Sequence, residues 1–222
     1  MIKYGLLLLA LCFFAAGPVH AGKIATISGV NVASGDFLMP VNDVFYINGY
    51  GTVVTGTILR GNIRVGDSVD IVGINESVIR TTVKSIELFK KTVTEAKEAD
   101  ECGLLLAFVK PSDVSRGMVL AKPGSIFPVK KISCEVIFKT KEDGGRKYPI
   151  ADNFRTQVRI YNTTSSAKIR LREGVQNITP AEKTNVMVEF EKPVAIEPGL
   201  AFAIMEYGKE IGSGTITAII KN

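Results

Sequence analysis

The chain has 222 residues, of which 46% are hydrophobic and 22% are charged, and its formal net charge at pH 7 is +5. This length is sufficient for one or two compact cores, and the sequence contains no low-complexity tract. The mild positive charge lacks the dense Lys/Arg stripe of a dedicated nucleic-acid-binding protein, so it permits an anionic partner without requiring one.

Residues 1–21 have the pattern of a signal peptide. Lys3 gives a short positive region, an apolar run occupies residues 5–16, and residues 19–21 read Val-His-Ala, which resembles a cleavage site. The apolar run is shorter than the ~20 residues that a membrane span requires. We therefore expect cleavage that leaves no stable membrane anchor, and a protein that is exported to a bacterial periplasm or secreted. An uncleaved anchor and a buried core segment remain alternatives.

Cleavage after Ala21 would remove His20, which is the one histidine of the chain. The mature protein would then lack imidazole bases, Ser/His or Cys/His dyads and histidine-containing zinc sites. Cys102 and Cys134 would remain, and they are not part of a CxxC pair. A single disulfide and two buried free thiols are both compatible with this pattern. The sequence therefore predicts a protein that is not an enzyme and has no cofactor and no metal.

The rest of the chain has an all-β pattern, in which segments rich in Val, Ile, Thr and Phe alternate with turn residues. The first series predicts strands at residues 43–47, 52–59, 68–72, 78–89, 102–110 and 118–121. The second series predicts strands at residues 133–140, 156–161, 166–171, 184–191, 200–206 and 211–220.

A short segment between the two series carries two prolines and a glycine, and each proline removes a backbone donor from any strand that it interrupts. We therefore predict two β domains joined by a linker. The predicted divisions are a linker at residues 22–35, a first domain at 36–122, a second linker at 123–131 and a second domain at 132–222.

Residues 51–67 read GTVVTGTILRGNIRVGD, which resembles the signature of the second domain of translation factor GTPases. Further landmarks at residues 69–74, 119–125 and 199–204 extend this resemblance. In order and length, the chain from Asp36 to Lys221 resembles domains two and three of the bacterial elongation factor Tu family. The resemblance implies two consecutive six-stranded β-barrels.

The resemblance does not extend to a nucleotide site. The phosphate-binding loop that ends in Gly-Lys-Ser or Gly-Lys-Thr and the base-reading Asn-Lys-x-Asp motif do not occur in the sequence. Residues 22–35 are also too few to hold a GTPase domain between the predicted signal peptide and the first barrel. We therefore expect no GTP binding and no GTP hydrolysis by this polypeptide.

In the elongation factor Tu family, the two barrels bind aminoacyl-tRNA, with its aminoacylated 3′ end in a pocket of domain two. The resemblance implies that this pocket is represented by Asp43, Phe45, Thr55 and Glu87. It implies contacts to the RNA backbone at Lys90, Lys91, Arg146, Lys147, Ser166 and Lys192.

The pocket residues also have structural explanations. Phe45 lies in an alternating strand and suits a barrel core or rim, whereas Asp43 and Thr55 suit hydrogen bonding to turns and backbone. Glu87 and the lysines that follow it suit a solvated strand edge.

The sequence departs from the family pattern at surfaces that would meet RNA. Tyr50 and Thr57 stand where the family has arginines, Glu101 replaces an asparagine of the pocket, and Asn42 replaces an acid. Tyr207 replaces a glycine where the tRNA backbone passes. Losing an arginine removes a charge contact to phosphate, and a bulky tyrosine opposes close approach.

Two functional hypotheses follow from these patterns. The first is an exported, non-enzymatic binding module with an unidentified protein partner, which the signal peptide pattern and the substituted RNA surface favour. The alternative is a protein related to translation elongation that binds aminoacyl-tRNA, or that acts as a decoy or regulator of elongation factor Tu.

Overall fold

The computed structural model of the chain describes residues 35–220. The predicted signal peptide at residues 1–21 and the predicted linker at 22–35, apart from Gly35, lie outside the described residues. Within the described range, regular structure consists of strands and one 3₁₀ helix at Pro111–Asp113. None of the described helices has the length and apolar character needed to cross a membrane.

The N-terminal part of the described chain forms a curled antiparallel sheet. Its strands, numbered β1 to β10 in chain order, are Leu38–Pro40, Asp43–Ile47, Gly51–Thr57, Asn62–Arg64, Ser68–Gly73, Asn75–Leu88, Lys91–Val93, Glu95–Lys97, Glu101–Leu106 and Val119–Ala121. The main sheet has eight strands in the order β1-β10-β5-β6-β9-β3-β2, with β7 beside β6, while β4 and β8 form a separate ribbon. The N–H of Leu38 in β1 donates to the carbonyl of Arg60 beyond β3 at 3.2 Å, so the sheet curls back on itself.

The C-terminal part forms a closed barrel. Its strands, β11 to β18, are Phe127–Phe138, Ile150–Ala151, Phe154–Ile160, Thr163–Arg170, Asn177–Ile178, Lys183–Ile196, Ala201–Glu206 and Lys209–Ile220. The closed barrel has the order β11-β16-β14-β13-β17-β18, and β12 pairs with β15. The predicted all-β class with two successive barrel-type domains is confirmed. The second barrel has the predicted six strands, whereas the first is a curled sheet of eight.

Alternating burial explains why these segments form strands. In β13, Thr156, Val158 and Ile160 are buried while the residues between them face solvent. Successive side chains of a strand point to opposite faces, so this pattern covers a core on one side and meets water on the other. β3 alternates in the same way from Gly51 to Thr57.

Strand β11 begins inside the segment that the sequence analysis assigned to a linker. It starts at Phe127 and includes Pro128, although a proline was expected to exclude a strand there. Pro128 pairs with Ala195 of β16, whereas pairing of β11 with β18 begins only at Lys131. Pro128 therefore has a strand neighbour on one side only, and its missing N–H costs no hydrogen bond to β18.

Each domain has its own apolar core, and a third cluster joins them. Leu38, Val72, Val119 and Ala121 from the first sheet pack with the apolar side chains Ile126 and Ala195. Backbone atoms also meet across this joint, because the N–H of Ile74 donates to the carbonyl of Pro193 at 2.9 Å.

The turn of the β13–β14 hairpin adds polar contacts between the two domains. Asn162 Nδ2 donates to the carbonyl oxygen of Val41 at 2.9 Å and to Asn42 Oδ1 at 2.6 Å. Val41 and Asn42 connect β1 to β2, so the second domain directly fixes the start of β2. Strand β2 carries part of the candidate site, so the second domain helps to position that site.

The buried carboxylate of Asp70 connects the segment between the two domains to the first sheet. Asp70 is 2% exposed, and its carboxylate accepts hydrogen bonds from Arg80 Nε at 2.7 Å and Arg80 Nη2 at 3.0 Å. It also accepts the backbone N–H of Gly124 at 2.9 Å. The hydrogen bond from the Arg80 guanidinium, aided by the Gly124 N–H, lowers the pKa of Asp70. The ionised form of Asp70 is therefore the one that the fold stabilises.

We expect Asp70→Asn to lower the free energy of unfolding at neutral pH by about 1–3 kcal/mol, because a charge-assisted pair is lost. The folded pKa of Asp70 lies below its unfolded value, so its contribution is complete above the unfolded pKa and disappears as pH falls through the folded pKa. Urea unfolding at neutral and strongly acidic pH measures this difference. Asp36→Asn, in an exposed pair with Lys122, is the control. Equal stability of the wild type and Asp70→Asn at neutral pH would contradict this assignment.

Candidate functional site

Strand register brings three of the four predicted pocket residues into one row. Asp43 of β2 lies opposite Thr55 of β3. Thr55 lies opposite Gly103 of β9, and Gly103 lies opposite Glu87 of β6. Neighbouring strands are about 4.8 Å apart, so this row crosses the sheet over roughly 15 Å. Positions far apart in sequence therefore share one outward face of the first domain.

The fourth predicted pocket residue, Phe45, lies in the next row of the same face. It pairs with Val53 of β3, which pairs with Leu105 of β9. The Phe45 side chain is 44% exposed, so it belongs to neither a sealed core nor a fully solvated position. Val53 and Leu105 are half-buried. Together these three side chains form an apolar patch beside the polar row.

Gly103 creates a depression in the middle of the polar row. A Cβ atom at this position would lie 3.6 Å from Val53 Cγ1 and 3.9 Å from Thr55 Cγ2, which are ordinary contact distances. The fold therefore has room for a Cβ atom here, and the glycine lacks one. The missing side chain leaves a gap between Thr55 and Glu87 that a ligand group can enter.

Three carboxylates lie around the depression, beside the apolar patch. Asp43 and Glu87 end the polar row, and Glu101 lies opposite Thr57 in the row on its other side. All three carboxylates are exposed, and within residues 35–220 none of them forms an ion pair. We call this surface, defined by Asp43, Phe45, Val53, Thr55, Glu87, Glu101, Gly103 and Leu105, the domain 2 face.

The alternative roles of Asp43 and Thr55 are not supported by the contacts of their side chains. Neither side chain takes part in a hydrogen bond within the described part of the chain, so they are not serving as turn or backbone caps. Their polar atoms are therefore directed to solvent from an ordered strand pair.

Lys90 and Lys91 lie at the tip of the β6–β7 hairpin, just beyond Glu87. Leu88 pairs with Lys91, and the two turn residues Phe89 and Lys90 have positive φ angles of 47° and 65°. Both lysines are exposed. The tip therefore places positive charge at one end of the polar row and outside the depression.

Arg146 of the second domain is engaged within the fold. Its guanidinium forms an ion pair with Glu206 and lies 4.4 Å from the centre of the Phe154 ring. The Arg146 side chain is only 21% exposed. Its neighbour Lys147 lies over the ring of Tyr148 at 5.6 Å. Contact of Arg146 with an RNA backbone would require this packing to open.

The remaining predicted RNA contacts are dispersed over the second domain. Ser166 is exposed on β14 opposite Gln157, and Lys192 is exposed on β16. No hydrogen bond or ion pair in the described range links them to each other or to Arg146. The structure thus assembles the domain 2 face and does not assemble a comparable set on the second domain.

Sequence reasoning missed the apolar and glycine members of the domain 2 face. Val53, Gly103 and Leu105 read as ordinary strand residues, and their grouping depends on the pairing of β3 with β9. A glycine inside an apolar strand was the available signal, because it marks either a bulge or a close approach of another molecule.

The two cysteines are buried free thiols in separate cores. Cys102 Sγ lies 3.6 Å from Met39 Sδ, and Cys134 Sγ donates to the carbonyl oxygen of Val186 at 3.6 Å. Burial raises the pKa of each thiol to about 12. Of the two alternatives, the structure has the free thiols and not the disulfide, and neither thiol is poised as a nucleophile.

We expect native protein at about pH 8 to resist alkylation at Cys102 and Cys134, because a thiol of pKa about 12 is ionised to roughly one part in ten thousand. Unfolding in guanidinium chloride should expose both thiols to N-ethylmaleimide. Peptide mapping by mass spectrometry measures each site separately. Rapid labelling of the native protein would contradict the burial, and no labelling after unfolding would show a disulfide.

The described residues contain no assembled set of metal ligands. Between residues 35 and 220, no group of three or more His, Cys, Asp or Glu side chains is arranged to hold a metal ion. Strands β3 and β9 separate Asp43 from Glu87, and β3 separates Asp43 from Glu101.

Two family models match the described chain. Residues 51–121 match Elongation factor Tu domain 2, and residues 125–220 match Elongation factor Tu C-terminal domain. The first match contains Thr55, Glu87 and Gly103, and β2 with Asp43 and Phe45 precedes it while pairing with β3. The chain therefore belongs to the elongation factor Tu domain families, with a domain 2 formed by the curled sheet and a C-terminal domain formed by the closed barrel.

Proposed function

We propose that this protein is an exported, non-enzymatic binding module that holds a polypeptide partner on the domain 2 face. The observation that carries the proposal is the register that aligns Asp43, Thr55, Gly103 and Glu87 across four strands beside the half-exposed Phe45. An apolar patch next to a depression and unpaired polar groups is the usual composition of a recognition surface.

The charge of the domain 2 face supports a polypeptide rather than a nucleic acid. Asp43, Glu87 and Glu101 give it three negative charges, and Lys90 and Lys91 lie outside it at the β6–β7 tip. Like charges raise the free energy of bringing a phosphate backbone to this surface. A polypeptide can instead present lysine or arginine to the carboxylates and an apolar side chain to Phe45.

The absence of catalysis is part of the proposal. Both thiols are buried with raised pKa values, which makes them poor nucleophiles. The carboxylates of the domain 2 face are exposed to solvent. Export is supported by the charged, apolar and small-residue order of residues 1–21.

A second candidate function is binding of aminoacyl-tRNA, or action as a decoy or regulator of elongation factor Tu. It is favoured by the match to Elongation factor Tu domain 2 and by the grouping of the pocket residues on one face. The ion pair of Arg146 with Glu206 weighs against it, because that arginine is not held ready for phosphate.

Substitution of the central glycine tests the proposal. Gly103→Leu fills the depression, and we expect it to weaken partner binding by at least about tenfold because a branched side chain then blocks the ligand group. Ser213→Leu, which adds the same side chain on an exposed position of β18, is the matched control. Thermal unfolding of both variants verifies that they fold.

The binding measurement compares proteins captured from an extract of the source organism with retention of charged and uncharged tRNA on filters at low salt. The proposal expects a protein that binds wild type and Ser213→Leu and is lost with Gly103→Leu, together with no preference for charged tRNA. Capture that is identical for all three proteins would overturn it. Retention of charged tRNA that Gly103→Leu abolishes would establish the second candidate in its place.

A further inference from the structure

Strand β2 is a terminal strand of the first sheet, and among residues 35–220 no strand pairs with its outer edge. Residues 43–47 pair with β3 on one side, and within the described chain no backbone hydrogen bond joins their other side to another segment. The 3₁₀ helix at Pro111–Asp113 lies nearby without such a bond. A free edge presents unpaired N–H and C=O groups that can pair with another extended chain.

The other edges of the main sheet are protected, and β2 is not. At the opposite end of the sheet, β1 has three buried residues, ends in Pro40 and is bridged to Arg60. Strand β7 has three residues and begins at Lys91. The barrel of the second domain is closed. Strand β2 reads Asp-Val-Phe-Tyr-Ile, with neither lysine nor proline, and its pairing with β3 contains no bulge.

Exposed aromatic side chains lie on both faces of β2. Phe45 is 44% exposed on the domain 2 face, and Tyr46, which points to the opposite face, is 63% exposed. Alternate residues of an added strand would contact one ring or the other. Aromatic cross-strand contacts are among the most stabilising pairs in sheets. Both faces of the free edge therefore offer contact area to a new strand.

We propose that β2 accepts an extended, basic segment of the partner polypeptide as an additional strand of the sheet. This inference rests on the proposed function and specifies how the partner binds. Backbone hydrogen bonds along residues 43–47 would supply affinity, and alternate side chains would supply specificity.

Charge complementarity selects a basic segment. Asp43 is exposed on the free strand, and Glu87 and Glu101 lie on the same face of the same sheet. A side chain of the added strand that points to this face lies beside Asp43, so lysine or arginine is favoured there. Side chains that point to the other face meet Tyr46, which favours apolar or aromatic residues.

A displayed library of random peptides of about nine residues, long enough to cover the edge, is the probe. Panning against the whole chain should enrich sequences in which lysine or arginine alternates with apolar residues. Asp43→Lys should bind an enriched peptide at least about tenfold more weakly. Lys209→Glu, a charge reversal in the C-terminal domain, should bind the peptide like the wild type.

Backbone amide exchange distinguishes strand addition from other binding. We expect an enriched peptide to slow the exchange of the backbone amides of residues 43–47. Two versions of the peptide are then N-methylated, one at every odd amide and the other at every even amide. We expect one of the two versions to lose binding. Failure to enrich any peptide against wild type over Asp43→Lys would overturn the proposal. Binding that perturbs Gly103 and Leu105 without protecting β2 would also overturn it, while leaving the proposed function intact.

Discussion

Gly56→Ala is expected to destabilise domain 2 strongly. Gly56 lies in β3 within the glycine-containing block at residues 51–67. A Cβ atom there would collide with the carbonyl oxygen of Pro40 and lie 2.9 Å from Met39 Cγ. Strand β1 is fully buried and cannot move aside freely, so the collision must displace backbone. We expect a loss of at least about 3 kcal/mol in the free energy of unfolding.

Gly103→Ala is the matched control for this substitution. Gly103 occupies the strand next to Gly56, but its added Cβ would make only ordinary contacts of 3.6 Å and 3.9 Å. We expect a change of less than about 0.5 kcal/mol. Urea unfolding followed by far-ultraviolet circular dichroism measures both variants. A Gly56→Ala protein with wild-type stability would show that the packing of β1 against β3 is wrong.

Arg60→Ala is expected to uncouple the two domains. The Arg60 guanidinium forms a two-pronged ion pair with Glu197, in which Nη2 donates to Oε2 at 2.9 Å. The two side chains are 15% and 27% exposed, and the Arg60 pKa is raised mainly by its hydrogen bond to Glu197. Removing the guanidinium leaves a partly desolvated carboxylate without its partner. We expect a loss of about 2–3 kcal/mol, below the range for a fully buried pair.

The measurement for this joint is a double-mutant cycle of Arg60→Ala with Glu197→Ala, followed by denaturant unfolding. We expect a coupling energy of about 1–2 kcal/mol and a single transition that broadens or splits in the variants. The second inter-domain pair, Lys130 with Glu76, is more exposed, and its cycle should give a smaller coupling energy. Equal coupling energies in the two cycles would contradict the role assigned to Arg60.

Sequence patterns predict the fold well because strand periodicity and turn residues are local signals. They fail where tertiary contacts decide. The predicted strand at residues 102–110 ends at Leu106, because Phe108 adopts a left-handed conformation with a φ of 54° that ends the strand. The short strands β4 and β8 were missed, since three polar-flanked residues carry no periodicity.

Asp43, Phe45, Thr55 and Glu87 were predictable as members of the candidate site, whereas Val53, Gly103, Leu105 and the shape of the site were not. The resemblance named Asp43, Phe45, Thr55 and Glu87, but only the pairing of β3 with β9 reveals that Gly103 opens a depression between them. A slip of one residue in either register would have turned these side chains to the opposite face. Sequence spacing alone does not fix that register.

The second domain also shows that residue types alone do not reveal which contacts a side chain makes. Arg146 has the residue type expected of an RNA contact, yet Glu206, 60 positions later in the chain, holds it in an ion pair. Interactions at such separations depend on how β17 closes the barrel, which local sequence patterns do not encode.

Site-specific photocrosslinking tests the central claim most directly. Benzoylphenylalanine placed at Phe45 reports what contacts the domain 2 face in the native organism, and the same group at Tyr148, which is 66% exposed in the C-terminal domain, is the reference. The account predicts a polypeptide adduct at position 45 that is absent at position 148 and is lost when Gly103→Leu is added. An adduct with nucleic acid at position 45, or equal adducts at both positions, would contradict it.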